Sequence, residues 1–236
     1  MKKPQIIPMI LEQKEMELKA EWRPERSIGS FRGSELGDCP RYLQYVIQGY
    51  KGEPPSPELG MLFADGHLHH DAVRAELAKV GRVTNREFAT WKSFKVEVGT
   101  RVAEFNLTGT LDGIFNGEFI FDIKSINPFS FKKLSLPYIY EKYRGYVYQL
   151  QTYMELLDKQ WSFNLFKDKA FSGMKIFWYQ RDPRIFNMVL KKCAKIHLAT
   201  IDGKWIKQPF SKSSTECERC TMRIHCWKKP MKRRGW

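Results

Sequence analysis

The 236-residue chain contains no run of about 18 consecutive apolar residues, the length a helix needs to cross a bilayer, so a helical membrane span is excluded. The opening MKKPQIIPMILEQKEMELKA does not read as a secretory leader: it interrupts its apolar stretch with Pro4, Gln5 and Pro8 and turns charged at once. There is no internal repeat, and no long amphipathic helix collects the basic residues on one face, which argues against attachment to a lipid surface. Acidic residues are few: 26 Asp and Glu face 40 Lys and Arg, a formal net charge of +14. Such a surplus does not suit a neutral metabolic enzyme and points to a polyanionic partner, nucleic acid first. Cysteine is scarce too, and the five present are an odd number, a poor basis for a disulfide framework. A soluble protein of the cytoplasm is the expectation.

What is present suffices for a folded core, at 42% hydrophobic and 14% aromatic residues. Residues 1–33 read as a lead-in with a short helical segment at 11–22. Ser34 precedes a helix through CPRYLQYVIQGY, and KGEPPSPELG, with three prolines, is a loop. A second helix is predicted over 57–79. Residues 82–125 are rich in β-branched and aromatic side chains with turns near Gly99 and at Asn116-Gly117, which predicts an antiparallel meander of three or four strands. A helix follows at 138–157, then a buried strand in FSGMKIFWYQ, then a helix that starts at Asp182-Pro183 and runs to about Ile201. This order predicts an α/β domain over 34–226 with a mixed central sheet flanked by helices, and a basic tail over 227–236.

The stretch GTLDGIFNGEFIFDIKS, residues 109–125, places Asp112, Asp122 and Lys124 in a hairpin whose other side chains should build core. Asp122 and Lys124 share a strand face because they are two apart. A two-residue Asn-Gly loop would put Asp112 opposite Phe121, on the wrong face. A three-residue loop ending in a left-handed Gly117 pairs Ile114 with Glu118 and sets Asp112 diagonal to Asp122, so that register is predicted. Charges on a solvated sheet face are the plainer alternative. Two carboxylates with an ammonium nearby are also the parts of metal-assisted phosphodiester hydrolysis: hard oxygen ligands for Mg²⁺ or Mn²⁺ and a cation for the developing phosphate charge.

G-x-x-D at 109–112 followed by D-x-K at 122–124 resembles the PD-(D/E)xK nuclease superfamily. YQLQTY supplies Gln149 and Tyr153 on one helical face, similar to the Q-x-x-x-Y motif of the RecB-like branch, and Gly66 with His70 in DGHLHHD matches its G-x-x-x-H pattern. The resemblance implies a restriction-endonuclease-like fold and a metal held by His70, Asp112, Asp122 and the Ile123 carbonyl. It also implies catalytic roles for Lys124, Asp112, Asp122, Gln149 and Tyr153. His67 lies on the same side of a helix as His70, whereas His69 faces about 100° away, so His67 is the reserve ligand. An imidazole among carboxylates predicts that Mn²⁺ serves at least as well as Mg²⁺.

CERCTMRIHC places Cys217, Cys220 and Cys226 in a C-x2-C-x5-C cluster, one thiolate short of four. Cys39 can supply it, and His225 could replace a cysteine. Tetrahedral thiolates suit zinc or iron, and spacing alone leaves the two open. The same nuclease branch, including the AddB nuclease and CRISPR adaptation nucleases, has members with one early cysteine and three late ones around a 4Fe-4S cluster. By that resemblance Cys39, Cys217, Cys220 and Cys226 hold iron and sulfur, with zinc second. Either metal would staple residue 39 to residues 217–226. Cys193, inside a predicted helix, reads as a buried small hydrophobe.

Basic and aromatic residues alternate in KKLSLPYIYEKYRGYVY and in CTMRIHCWKKPMKRRGW, a mixture suited to phosphates and unpaired bases. The resemblance spans 34–226 and implies a DNA nuclease, acting more on single-stranded ends than at specific sequences. It places the protein in repair, recombination, replication or CRISPR adaptation of a prokaryote or its virus, with a helicase, integrase or recombination factor as partner. The alternative is a catalytically silent DNA-binding adaptor of the same fold.

Overall fold

A computed structural model describes residues 6–21 and 29–227. In chain order it contains α1 (Ile6–Glu21), β1 (Ser30–Arg32), a 3-10 turn (Gly33–Glu35), α2 (Pro40–Ile47), α3 (Pro57–Val80), β2 (Val83–Thr84), β3 (Ala89–Val98), β4 (Arg101–Thr110), β5 (Gly113–Phe115) and β6 (Phe119–Ile126). Then come α4 (Pro128–Lys133), α5 (Leu136–Lys142), α6 (Arg144–Leu157), β7 (Trp161–Asp168), β8 (Met174–Gln180), α7 (Pro183–Ile201), α8 (Thr215–Glu218) and α9 (Arg223–Cys226). The helix starts follow local chemistry. Ser56 accepts a hydrogen bond from Leu59 N ahead of Pro57, and Asp182 accepts one from Arg184 N ahead of Pro183.

The predicted meander divides between two sheets. β3 and β4 pair antiparallel over ten residues and join β1, in the order β1-β4-β3, while β5 and β6 belong to a sheet ordered β2-β5-β6-β7-β8. The chain changes sheets at Leu111-Asp112. One face of the first sheet is apolar: Phe31, Phe94, Phe105 and Leu107 pack with Phe186, Val189, Cys193 and Ile196 of α7. Cys193 is fully buried there, as expected. The centre of the second sheet is covered on both faces. Phe121 and Ile123 of β6 pack against Val73 and Leu77 of α3. Ile120 and Ile126, on the alternate face, pack with Val147, Leu150 and Met154 of α6.

The remaining departures have local causes. The helix expected over 138–157 breaks at Tyr143, and α6 begins where Gly145 meets Gly37 so closely that a Cβ on Gly37 would lie 2.4 Å from Gly145 Cα. β7 is a strand that the sequence reading missed. It is central, paired parallel to β6 and antiparallel to β8, and buried on both faces, so it shows no alternation to read. β8 is an edge strand with an alternating, half-exposed pattern and not the buried strand expected. The lead-in helix, Ile6–Glu21, begins earlier than the expected 11–22; Trp22 and most of the basic tail, residues 228–236, lie outside the described residues. Among the described residues no helix is long and apolar enough to cross a membrane.

Candidate active site

The hairpin turn sets the site, in a register that the sequence reading did not choose. Phe115 pairs with Phe119, Ile114 with Ile120 and Gly113 with Phe121. The loop is three residues long, as predicted, but comprises Asn116, Gly117 and Glu118. Asn116 and Gly117 both take left-handed conformations, φ 53° and 75°, which moves the loop one residue along. Continued by one residue, this register brings Asp112 directly abreast of Asp122.

β6 turns Asp122 and Lys124 toward α6, and a chain of contacts follows. Lys124 Nζ lies 3.1 Å from Asp122 Oδ1 and donates to Gln149 Oε1 at 3.1 Å. Gln149 Nε2 donates to the Tyr153 hydroxyl at 3.1 Å, and that hydroxyl donates to the Thr110 carbonyl at 3.1 Å. The Q-x-x-x-Y pair therefore bolts the Lys124 ammonium to the end of β4. The Tyr146 ring stands 4.7 Å from Lys124 Nζ and stacks on Tyr143. The glycine of G-x-x-D has a steric reason: a Cβ on Gly109 would lie 2.1 Å from Tyr153 Cε1, and one on Gly33 2.6 Å from the same atom. The glycine of G-x-x-x-H has none, since a Cβ on Gly66 would meet Ser125 Oγ at an ordinary 3.7 Å.

α3 supplies the other side. His70 Nδ1 is 3.1 Å from Asp112 Oδ1, and Ile123 N donates to Asp112 Oδ2 at 2.7 Å. His67 is exposed, its ring centroid 6.3 Å from that of His70, and His69 turns to Asp65. Two residues that sequence reasoning missed complete the shell. Arg74, one turn beyond His70, is buried and donates to Asp112 Oδ1 at 2.9 Å and to its backbone carbonyl at 3.1 Å. Asn164 of β7, paired in register with Asp122, donates to Asp122 Oδ2 at 2.8 Å. The i,i+4 relation to His70 was the available signal for Arg74; Asn164 sat in the strand that went unread.

The surroundings shift the two carboxyl pKa values in opposite directions. Burial pushes Asp122 up to about 6 against the pull of Lys124. Burial also acts to raise Asp112, but His70 and the Ile123 N–H outweigh it and hold that carboxyl below its usual range. Burial opposes the Lys124 charge as well, yet Asp122 dominates and its pKa is raised. The two carboxylates are thus matched, largely out of water, by the Arg74 guanidinium and the Lys124 ammonium.

Among the described residues, no three His, Cys, Asp or Glu side chains are drawn into a ready coordination shell. Protein donors take five positions on the two carboxylates: three on Asp112 and two on Asp122. Since an ionised carboxylate offers about four lone-pair sites, acceptor capacity remains on both. The donor set, two carboxylates and an imidazole, fits a hard divalent cation.

Apart from this site, Cys39, Cys217, Cys220 and Cys226 line one cavity of about 30 Å³. Gln208 Nε2 reaches Cys226 Sγ at 3.2 Å, and burial raises the Cys39 and Cys220 thiols. His225 does not line this cavity: its Nε2 lies 2.6 Å from the Lys51 carbonyl and its ring packs on Tyr50. α2 is also tied to the C-terminal segment without metal, through Arg41 to the Ile206 carbonyl and over the Trp205 ring, and through Gln44 to Lys204 and Ile206.

No protein-family model matches this sequence, and no curated protein matches it. Solved structures share its fold. SSO0001 aligns over 94% of this chain and 96% of its own with a TM-score of 0.51 and 18% identity. The alkaline exonuclease of Laribacter hongkongensis aligns over 80% of this chain and 93% of its own, with a TM-score of 0.52 and 13% identity. The same exonuclease in complex with dAMP gives a TM-score of 0.51 at 13% identity, over 75% of this chain and 90% of its own.

Proposed function

We propose that the protein is a metal-dependent DNA nuclease of the PD-(D/E)xK superfamily, acting on single-stranded ends. The observation that carries the reading is the opposed pair Asp112 and Asp122, with His70 on one flank and Lys124 clamped by Gln149 and Tyr153 on the other. The shared fold with an alkaline exonuclease supports it.

His70, Asp112, Asp122 and the Ile123 carbonyl would hold Mn²⁺ or Mg²⁺, which when bound activates a water and polarises the phosphate. Lys124, held in one position by Asp122 and Gln149, faces the developing negative charge on the scissile phosphate and stabilises it without reorganising. Gln149 and Tyr153 act as positioning residues through Lys124, and Arg74 and Asn164 fix one orientation of each carboxylate. The four cysteines would hold a 4Fe-4S cluster, with zinc second, as a staple that acts through folding. The setting we propose is DNA repair, recombination, replication or CRISPR adaptation in a prokaryotic cytoplasm, alongside a helicase, integrase or recombination factor.

The test is cleavage of 5′- and 3′-labelled single-stranded DNA in Mn²⁺ by the wild type, Lys124→Ala and Asp112→Ala. Cutting by the wild type alone supports the nuclease. Equal background from all three proteins, with DNA still bound, selects the silent adaptor.

A further inference from the structure

A second feature adjoins this site without belonging to it. A cavity of about 580 Å³ lies on the first sheet, lined among others by Arg32, Trp91, Asn106, Thr108, Gln149 and Tyr153. Its volume is within the range of about 300–1,000 Å³ typical of sites for small organic ligands. The sheet's other face is closed by α7. This one is polar and open beside Trp91, which is 70% exposed; the other exposed apolar side chain of this face, Val102, lies toward the far end of β4.

We propose that this face binds an unpaired stretch of the DNA strand, with one base stacked on Trp91 and a neighbouring phosphate held by Arg32, leading to Lys124. The proposal rests on the nuclease reading and assigns that site its strand path. Register sets the geometry: Thr108 of β4 pairs with Arg32 of β1 on one side and with Trp91 of β3 on the other. One transverse row therefore runs Arg32, Thr108, Trp91, and two strand spacings place the outer backbones about 10 Å apart. A cation and an indole at that separation match the alternation of phosphate and base in a single strand, whose bases have free π-faces. Ser30, Asn106 and Thr108 add neutral hydrogen-bonding groups along the floor.

Two observations favour DNA over another occupant. The chain carries +14, and Arg32 is exposed on this face. The cavity also ends on Gln149 and Tyr153, and Gln149 accepts the hydrogen bond from Lys124 Nζ. One side chain thus separates the groove from the ammonium assigned to the scissile phosphate.

The experiment uses the full chain in EDTA, with anisotropy of a fluorescein-labelled oligothymidine over a range of KCl concentrations. Trp91→Ala weakens binding by roughly fivefold to a hundredfold, the worth of one stacked base, and leaves the salt dependence unchanged. Trp91→Phe retains most of the affinity. Arg32→Ala weakens binding and lowers the slope of log K against log salt by about 0.7, the loss of one phosphate contact on a single strand. Photo-crosslinking with 5-iodouracil, mapped by mass spectrometry, marks Trp91 in the unaltered protein. Wild-type affinity in Trp91→Ala, or crosslinks confined to other elements, overturns the proposal. A wild type that binds through Trp91 but never cuts DNA keeps the groove and removes the nuclease reading; one that neither binds nor cuts removes both.

Discussion

Tyr153→Phe deletes one oxygen and tests whether the buried relay, and not the bulk of the ring, sets the Lys124 position. Tyr153 is 1% exposed and its ring edge packs on Gly109 and Gly33, so Phe fills the same space and leaves no cavity. The lost hydroxyl accepts from Gln149 Nε2 and donates to the Thr110 carbonyl. Gln149 is 4% exposed, so its amide is stranded. A stranded buried donor costs about 1–3 kcal/mol. At the middle of that range, a chain of this size melts about 4–8 °C lower. Gln149, released at one end, no longer holds Lys124 in place, and a misplacement of about 1 Å can cost on the order of a hundredfold in rate. The expected result in Mn²⁺ is a kcat for single-stranded DNA reduced between about tenfold and a hundredfold, with KM little changed. A double-mutant cycle with Gln149→Leu should show coupling of at least about 0.5 kcal/mol, because the two side chains share one hydrogen bond. Wild-type melting and kcat in Tyr153→Phe, or strict additivity with Gln149→Leu, would refute the relay.

The two motif glycines should behave differently. Gly109→Ala drives a methyl into the Tyr153 ring, and overpacking of this kind costs about 1–3 kcal/mol or more; Gly66→Ala has room within α3 and should raise stability by about 0.5–1 kcal/mol, both read by thermal melts. Mn²⁺ at about a hundred times its Kd should stabilise the wild type by about 2.7 kcal/mol; Asp112→Asn and Asp122→Asn should lose that melting shift, and retention of the full shift would remove these residues as ligands. Protein purified without oxygen should be brown with broad visible absorbance and contain iron and sulfide, and Cys39→Ala and Cys217→Ala should lose the colour together with solubility. Colourless protein with stoichiometric zinc would assign the cysteines to the runner-up metal.

Much of the site could be read from the chain because its parts are short and local. Asp122 and Lys124 share a face by strand alternation and Gln149 and Tyr153 by helical spacing, while the choice of His70 came from the resemblance to the G-x-x-x-H pattern. The helix starts at Pro57 and Pro183 followed from their capping residues. Arg74 was hidden because a lone arginine among 40 basic residues carries no mark of burial. Asn164 was hidden because a strand covered on both faces has no polar alternation. The hairpin register escaped by one loop residue: which of Asn116, Gly117 and Glu118 bend is a choice among turns of nearly equal local cost.

The sequence by itself determined the chemistry available: a basic chain, two carboxylates and a lysine in a hairpin, an imidazole one helix earlier, and four cysteines split between the ends. Only the tertiary structure decided that the chain changes sheets at Leu111-Asp112 and that Asp112 stands abreast of Asp122. It alone decided that Gln149 and Tyr153 reach back to Lys124, and that a polar face with an exposed Trp91 opens beside them. Local sequence sets the preferences of single elements, whereas register and convergence depend on contacts between residues tens of positions apart. Those contacts are chosen by the packing of the whole chain.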